Sequence, residues 1–159
     1  MSMPNEEALL EVQTFDFEKS VEIDAPIEIT WDAVLADLGP EGRMPDGTPY
    51  PFVIEPFPGG RWYRELGNNN GHLWGFVQVI KPPKLLEIEG PTFMSFPATN
   101  HIQYRLTAEG ERTHLKVTHR AFGFFPKGFV DGSEEGWEDG LKHVAEIAAR
   151  MKNQRGAKR

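Results

Sequence analysis

Two hydrophobic periods run through this chain. Over residues 14–23, Phe15, Phe17, Lys19, Val21 and Ile23 alternate with Asp16, Glu18, Ser20 and Glu22, the period of two expected of a strand with one buried face. Over residues 133–152 the period lengthens. Trp137, Leu141, Val144, Ala148 and Met151 recur every three or four residues, with Glu138, Lys142, Glu146 and Arg150 between them, which predicts a long helix with a single apolar stripe. Asp131, Ser133, Glu134 and Glu135 offer capping oxygens and negative charge at its start, and Arg150, Lys152 and Arg155 positive charge at its end, which suits the helix dipole at both termini.

The segments between these two follow the same logic. Pro26 opens a short helix carried by Ile29, Ala33, Leu35 and Leu38, and Gly39 and Pro40 end it. Residues 39–51, dense in Pro and Gly, predict a loop that serves either as a lid or rim or as a plain connection. Strands are expected at 52–55, 61–66, 72–80, 85–89, 101–107 and 113–120, with a hairpin turn at the Gly67, Asn68, Asn69, Asn70, Gly71 run and a Phe-bearing loop at 90–97. Ile102, Tyr104 and Leu106 share one face of their strand, and Leu115, Val117 and His119 share one face of the next. The order predicts an α+β domain: a curved antiparallel sheet of six to seven strands wrapped around the long C-terminal helix, with a short helix after the first strand. Residues 14–152 form that single domain, 1–13 a frayed leader and 153–159 a basic tail.

Composition narrows the function. At 159 residues, 39% of them hydrophobic and 26% charged, the chain suits one globular domain with a real core. A net charge of −7 argues against nucleic acid as a partner. No apolar run is long enough to span a bilayer and the first residues lack a signal-peptide pattern, so the expected location is cytoplasmic. With no cysteine, thiolate metal sites, disulfides and cysteine nucleophiles are excluded. The five histidines, His72, His101, His114, His119 and His143, show no chelating spacing, so neither a metal site nor a cofactor is expected.

The segments FEKSVEIDAPIEITWDAV, PGGRW, GFVQVIKPPKLLEIE, THLKVTHRAFG and GWEDGL, in that order, resemble the SRPBCC or START-like superfamily with its birch-allergen helix-grip fold. Within it they are most similar to the activator of heat-shock protein 90 ATPase homologue-like (AHSA-like) family. The resemblance implies an apolar cavity between sheet and C-terminal helix, of the kind that holds lipids, polyketides and other hydrophobic small molecules. It implies no common catalytic residues.

The aromatic content, which includes Phe52, Trp62, Trp74, Phe76, Phe93, Tyr104, Phe122 and Trp137, could wall such a pocket. Candidate ligand contacts are Trp62, Trp74, Phe76, Tyr104, Val117, His119, Phe122, Trp137, Leu141 and Val144. His119 and Tyr104 are the candidates for acid–base chemistry. The leading expectation is non-enzymatic binding of a hydrophobic small molecule by a monomer or a homodimer. An enzyme of polyketide cyclase or hydrolase type, or a chaperone-binding or other protein-interaction module, is the alternative.

Overall fold

The computed structural model describes residues 10–157, which form β1 (Val12–Ile23), α1 (Ile27–Asp37), β2 (Val53–Ile54), β3 (Arg61–Gly67), β4 (Asn70–Lys81), β5 (Leu85–Gly90), β6 (Ala98–Glu109), β7 (Arg112–Phe124) and α2 (Gly128–Ala157). The strands make one antiparallel sheet in the order β1-β7-β6-β5-β4-β3-β2. It curves around α2, which is the expected α+β arrangement. No described helix is long and apolar enough to cross a membrane.

Alternation makes the inner face. In β6 and β7, Ile102, Tyr104, Leu106, Leu115, Val117 and His119 are buried, while the residues between them are exposed or only half-buried. Each aliphatic side chain sealed in this way contributes about 2 kcal/mol through lost contact with water. The β3–β4 turn forms where the Asn run predicts it. Gly67, Asn68 and Asn69 have φ of 84°, 53° and 61°, a left-handed backbone that Gly and Asn accept most readily.

Both helices differ from expectation in ways that packing explains. Pro26 sits just outside α1, its carbonyl accepting Thr30 N–H at 3.0 Å and Thr30 Oγ1–H at 3.1 Å. Thr30, Trp31, Ala33 and Val34 form its buried face, and the expected Ile29 and Leu35 are only half-buried. Helix α2 starts at Gly128, five residues earlier than the capping signal suggested, so Asp131 and Ser133 lie within it. The extra turn brings Phe129 and Val130 onto a cluster of Phe15, Phe93, Phe96 and Phe125, and that burial outweighs the roughly 1 kcal/mol that each helical glycine costs.

The polar side of α2 is fastened rather than free. Glu138 pairs with Lys19, Glu146 with Arg43, Arg150 with Glu41 and Arg155 with Asp32, and Lys152 bonds Asp24. These contacts pin the helix to β1, α1 and the loop after it. The expected leader lies mostly outside the described residues, and Val12 and Gln13 already belong to β1.

Candidate functional site: an aromatic cavity under the long helix

A cavity of about 410 Å³ lies between the inner face of the sheet and α2. Trp62 of β3, Trp74 of β4, Ile102 and Tyr104 of β6, His119 of β7 and Trp137 of α2 meet there. The loop after α1 closes one side with Arg43, Met44 and Tyr50, and the loop before β6 contributes Phe93 and Met94. Met44 and Met94 are both exposed and so mark the opening. Residues 39–51 therefore form a rim, held by Met44 N–H to Thr48 O at 2.8 Å and Phe52 N–H to Gly39 O at 2.8 Å.

The aromatic wall depends on an irregularity in β4. Trp62 pairs with Gly75 and Tyr63 with Leu73, so the ladder skips Trp74. A bulge of this kind turns two consecutive positions out of strict alternation. Trp74 consequently faces the cavity, with its ring 5.4 Å from Trp62 and 5.0 Å from Phe52. Beyond the bulge the parity changes: Val77 points inward and Phe76 outward. Next to the bulge, Gly75 and Gly90 let two backbones pass closely, since a Cβ on Gly90 would stand 2.4 Å from Gly75 Cα. The Trp74 carbonyl accepts both Thr92 N–H, at 2.9 Å, and Thr92 Oγ1–H, at 3.1 Å, which anchors the loop at the opening.

His119 is the centre of a directed hydrogen-bond chain. Trp137 Nε1–H donates to His119 Nδ1 at 2.9 Å. An indole can only donate, so Nδ1 is the acceptor and the proton of the neutral ring sits on Nε2, 2.7 Å from Asn100 Oδ1. Asn100 Nδ2–H in turn donates to Pro91 O at 2.9 Å. Burial, together with the nearby His101, lowers the His119 pKa to about 4. The ring is therefore neutral at physiological pH, with both nitrogens occupied.

Three other polar groups face the cavity differently. Tyr104 is 1% exposed and its hydroxyl has no hydrogen-bond partner among the described residues; the buried indole N–H of Trp74 is also unpaired. Burial, reinforced by the charge of Asp37, raises the Tyr104 pKa well above its usual value, so the phenol stays protonated. Asp37 Oδ1 lies 2.7 Å from His143 Nδ1 on the wall, and burial raises the Asp37 pKa against the opposing pull of His143. Trp62, by contrast, is satisfied, donating to Leu38 O at 2.8 Å.

Of the residues singled out in the sequence, Trp62, Trp74, Tyr104, His119 and Trp137 thus line the cavity. Val117, Leu141 and Val144 are sealed in the adjoining core and do not reach it. Phe76 and Phe122 are corrections: they are 43% and 58% exposed on the outer face, Phe76 because of the bulge and Phe122 because β7 keeps strict alternation through to Phe124. Sequence reasoning missed Asp37, Arg43, His143 and the glycine face of α2. The spacing of Gly128, Gly132, Gly136 and Gly140, one every fourth residue, was the available signal for that face. Gly136 and Gly140 line the cavity, and a Cβ at Gly136 would meet nothing within 4 Å.

Among the described residues one trio has metal-ligand proximity, Glu22, Glu109 and His114. It lies away from the cavity, with Glu22 and Glu109 exposed and His114 half-buried, and its members already bond one another.

No family model and no curated protein matches the sequence. Solved structures do match. An uncharacterized protein from Rhizobium leguminosarum aligns with a TM-score of 0.68 at 15% identity, over 88% of this chain and 97% of the other. CalU16 from Micromonospora echinospora aligns with a TM-score of 0.56 at 18% identity, over 92% and 94%. DynU16, a protein of the dynemicin biosynthetic locus, aligns with a TM-score of 0.60 at 18% identity, over 82% of this chain and 46% of its own length. At such identities the likeness concerns architecture alone, and together with the sheet order and the enclosed helix it establishes that the chain has a helix-grip fold.

Proposed function

We propose that this chain binds a hydrophobic small molecule, of lipid, aromatic or polyketide-like type, in the cavity between the sheet and α2, without transforming it. The observation that carries this reading is the wall itself: Phe52, Trp62, Trp74, Phe93 and Trp137 converge on one space, with few polar groups among them, as small-molecule pockets require. The AHSA-like sequence segments and the likeness to a protein of a biosynthetic locus agree with a small-molecule role on this scaffold.

An enzymatic reading centred on His119 is disfavoured by the chemistry at that residue. Its acceptor nitrogen is taken by Trp137, and its pKa of about 4 lies far below the range useful to a general base near neutral pH. Native mass spectrometry of the gently purified protein tests the binding reading. The expected result is a defined extra mass that is lost on denaturation and is absent from a Gly136→Leu variant, whose side chain would occupy the cavity. A wild-type protein that carries no such mass and gives no chemical-shift change with an apolar probe such as 2-ethylnaphthalene refutes it.

A further inference from the structure

The aromatic wall explains apolar burial, but it leaves three donors of the described lining residues unused, one of them Nε of Arg43, whose two terminal nitrogens are engaged by Asp139 and Glu146. The Tyr104 hydroxyl and the Trp74 indole N–H both border the cavity and both lack partners among the described residues. Unpaired buried donors cost stability, so native proteins keep few of them, and at a cavity an entering acceptor relieves that cost. The charges on the wall restrict what that is. Asp37 and Asp139 stand against Arg43 and His143, and Arg43 is already held by Asp139 at 3.5 Å and by Glu146 at 3.2 Å. Two carboxylates against one guanidinium and one imidazole leave no surplus positive charge for an anion.

We infer that the ligand is a neutral, flat molecule bearing a carbonyl oxygen, and that the Tyr104 hydroxyl donates to that oxygen while Trp74 N–H serves a second acceptor. This rests on the binding reading above and names its ligand class. Because the Tyr104 phenol stays protonated, it offers a hydrogen to a ketone, quinone or ester, while the charge of the neighbouring Asp37 disfavours a carboxylate. A volume of about 410 Å³ stands near the small end of the ligand-pocket range of roughly 300–1,000 Å³, which favours a fused-ring compound over a two-chain lipid. Flat rings also suit walls built of Trp and Phe set edge to face.

The test is an NMR titration of the ¹⁵N-labelled full chain with three probes of one shape: 2-acetylnaphthalene, 2-ethylnaphthalene and 2-naphthoate. The ketone is expected to bind about tenfold more tightly than the hydrocarbon, as one hydrogen bond to a buried partner allows, and naphthoate more weakly than either. In Tyr104→Phe the ketone should lose this advantage while 2-ethylnaphthalene binds as before. Equal affinities for ketone and hydrocarbon in the wild type, an advantage that survives in Tyr104→Phe, or naphthoate binding best would each overturn the carbonyl inference while leaving the apolar cavity in place. Failure of all three probes to bind would overturn both readings. The wild-type comparison stands without the variant, so a folding defect in Tyr104→Phe does not spare the inference.

Discussion

Replacing Gly136 with leucine should make the protein more stable while closing the cavity. The residue lies mid-helix on the cavity wall, where an added Cβ meets nothing within 4 Å. Leaving glycine for a good helix former gains about 0.8 kcal/mol. Burying the new isobutyl group against Trp and Phe rings adds about 2 kcal/mol, less about 0.7 kcal/mol for ordering it. The net gain of about 2 kcal/mol corresponds to a rise in Tm of about 4–8 °C for a chain of this size. Gly132, one turn earlier and exposed, supplies the control: Gly132→Leu should capture only the helix-propensity part. Circular dichroism melts of the three proteins, with 2-ethylnaphthalene titrations alongside, decide the matter. A Gly136→Leu variant that melts at or below the wild-type temperature, or that binds the probe as well as wild type does, would falsify the placement of this glycine over open space.

Other outcomes follow from single contacts. His119 has a folded pKa of about 4, below its unfolded value, so the unfolded chain binds the extra proton first. The stability this histidine contributes is therefore complete above about pH 6.5, and it falls by about 2 kcal/mol between pH 6.5 and pH 5; urea titrations should show this slope, and His119→Gln should lack it. Trp137→Phe keeps a ring in the wall but strips His119 Nδ1 of its donor, which should cost about 1–2 kcal/mol in urea denaturation. Trp137→Ala should cost less than the roughly 3–5 kcal/mol of a core tryptophan, because Trp137 is half-buried with one side on the cavity, and a loss that reaches that range in a thermal melt would contradict the placement. Phe76→Ser and Phe122→Ser, on the outer face, should leave probe affinity within twofold in the same titration.

Legibility in the sequence followed regularity in the backbone. Strict alternation placed Tyr104 and His119 on one inner face, and the Asn-Gly run located a turn, because in both cases a local rule is also the global one. The rule failed where tertiary structure breaks the period. The skipped residue at Trp74 leaves no mark in hydrophobicity, so Phe76 read as inward. The early start of α2 is driven by Phe129 and Val130 docking on distant Phe15 and Phe93, a contact that no window of sequence contains. Capping residues at 131–133 pointed elsewhere. Asp37 and His143 are 106 positions apart, and nothing near either residue announces the other. The rim was readable as a Pro- and Gly-rich loop, but its descent onto the cavity depends on Arg43 reaching Asp139 and Glu146 of α2.

The chain from Trp137 through His119 and Asn100 to Pro91 runs in one direction. It begins at an indole, which does not readily give up its proton, and ends at a backbone carbonyl, which cannot keep one. No proton can travel along it. What it fixes is position: it links Trp137 to Pro91, the residue that heads the loop carrying Thr92, Phe93 and Met94. The chain thus works as a tie rod rather than a proton wire, holding the roof of the cavity and the loop at its opening in one fixed relation.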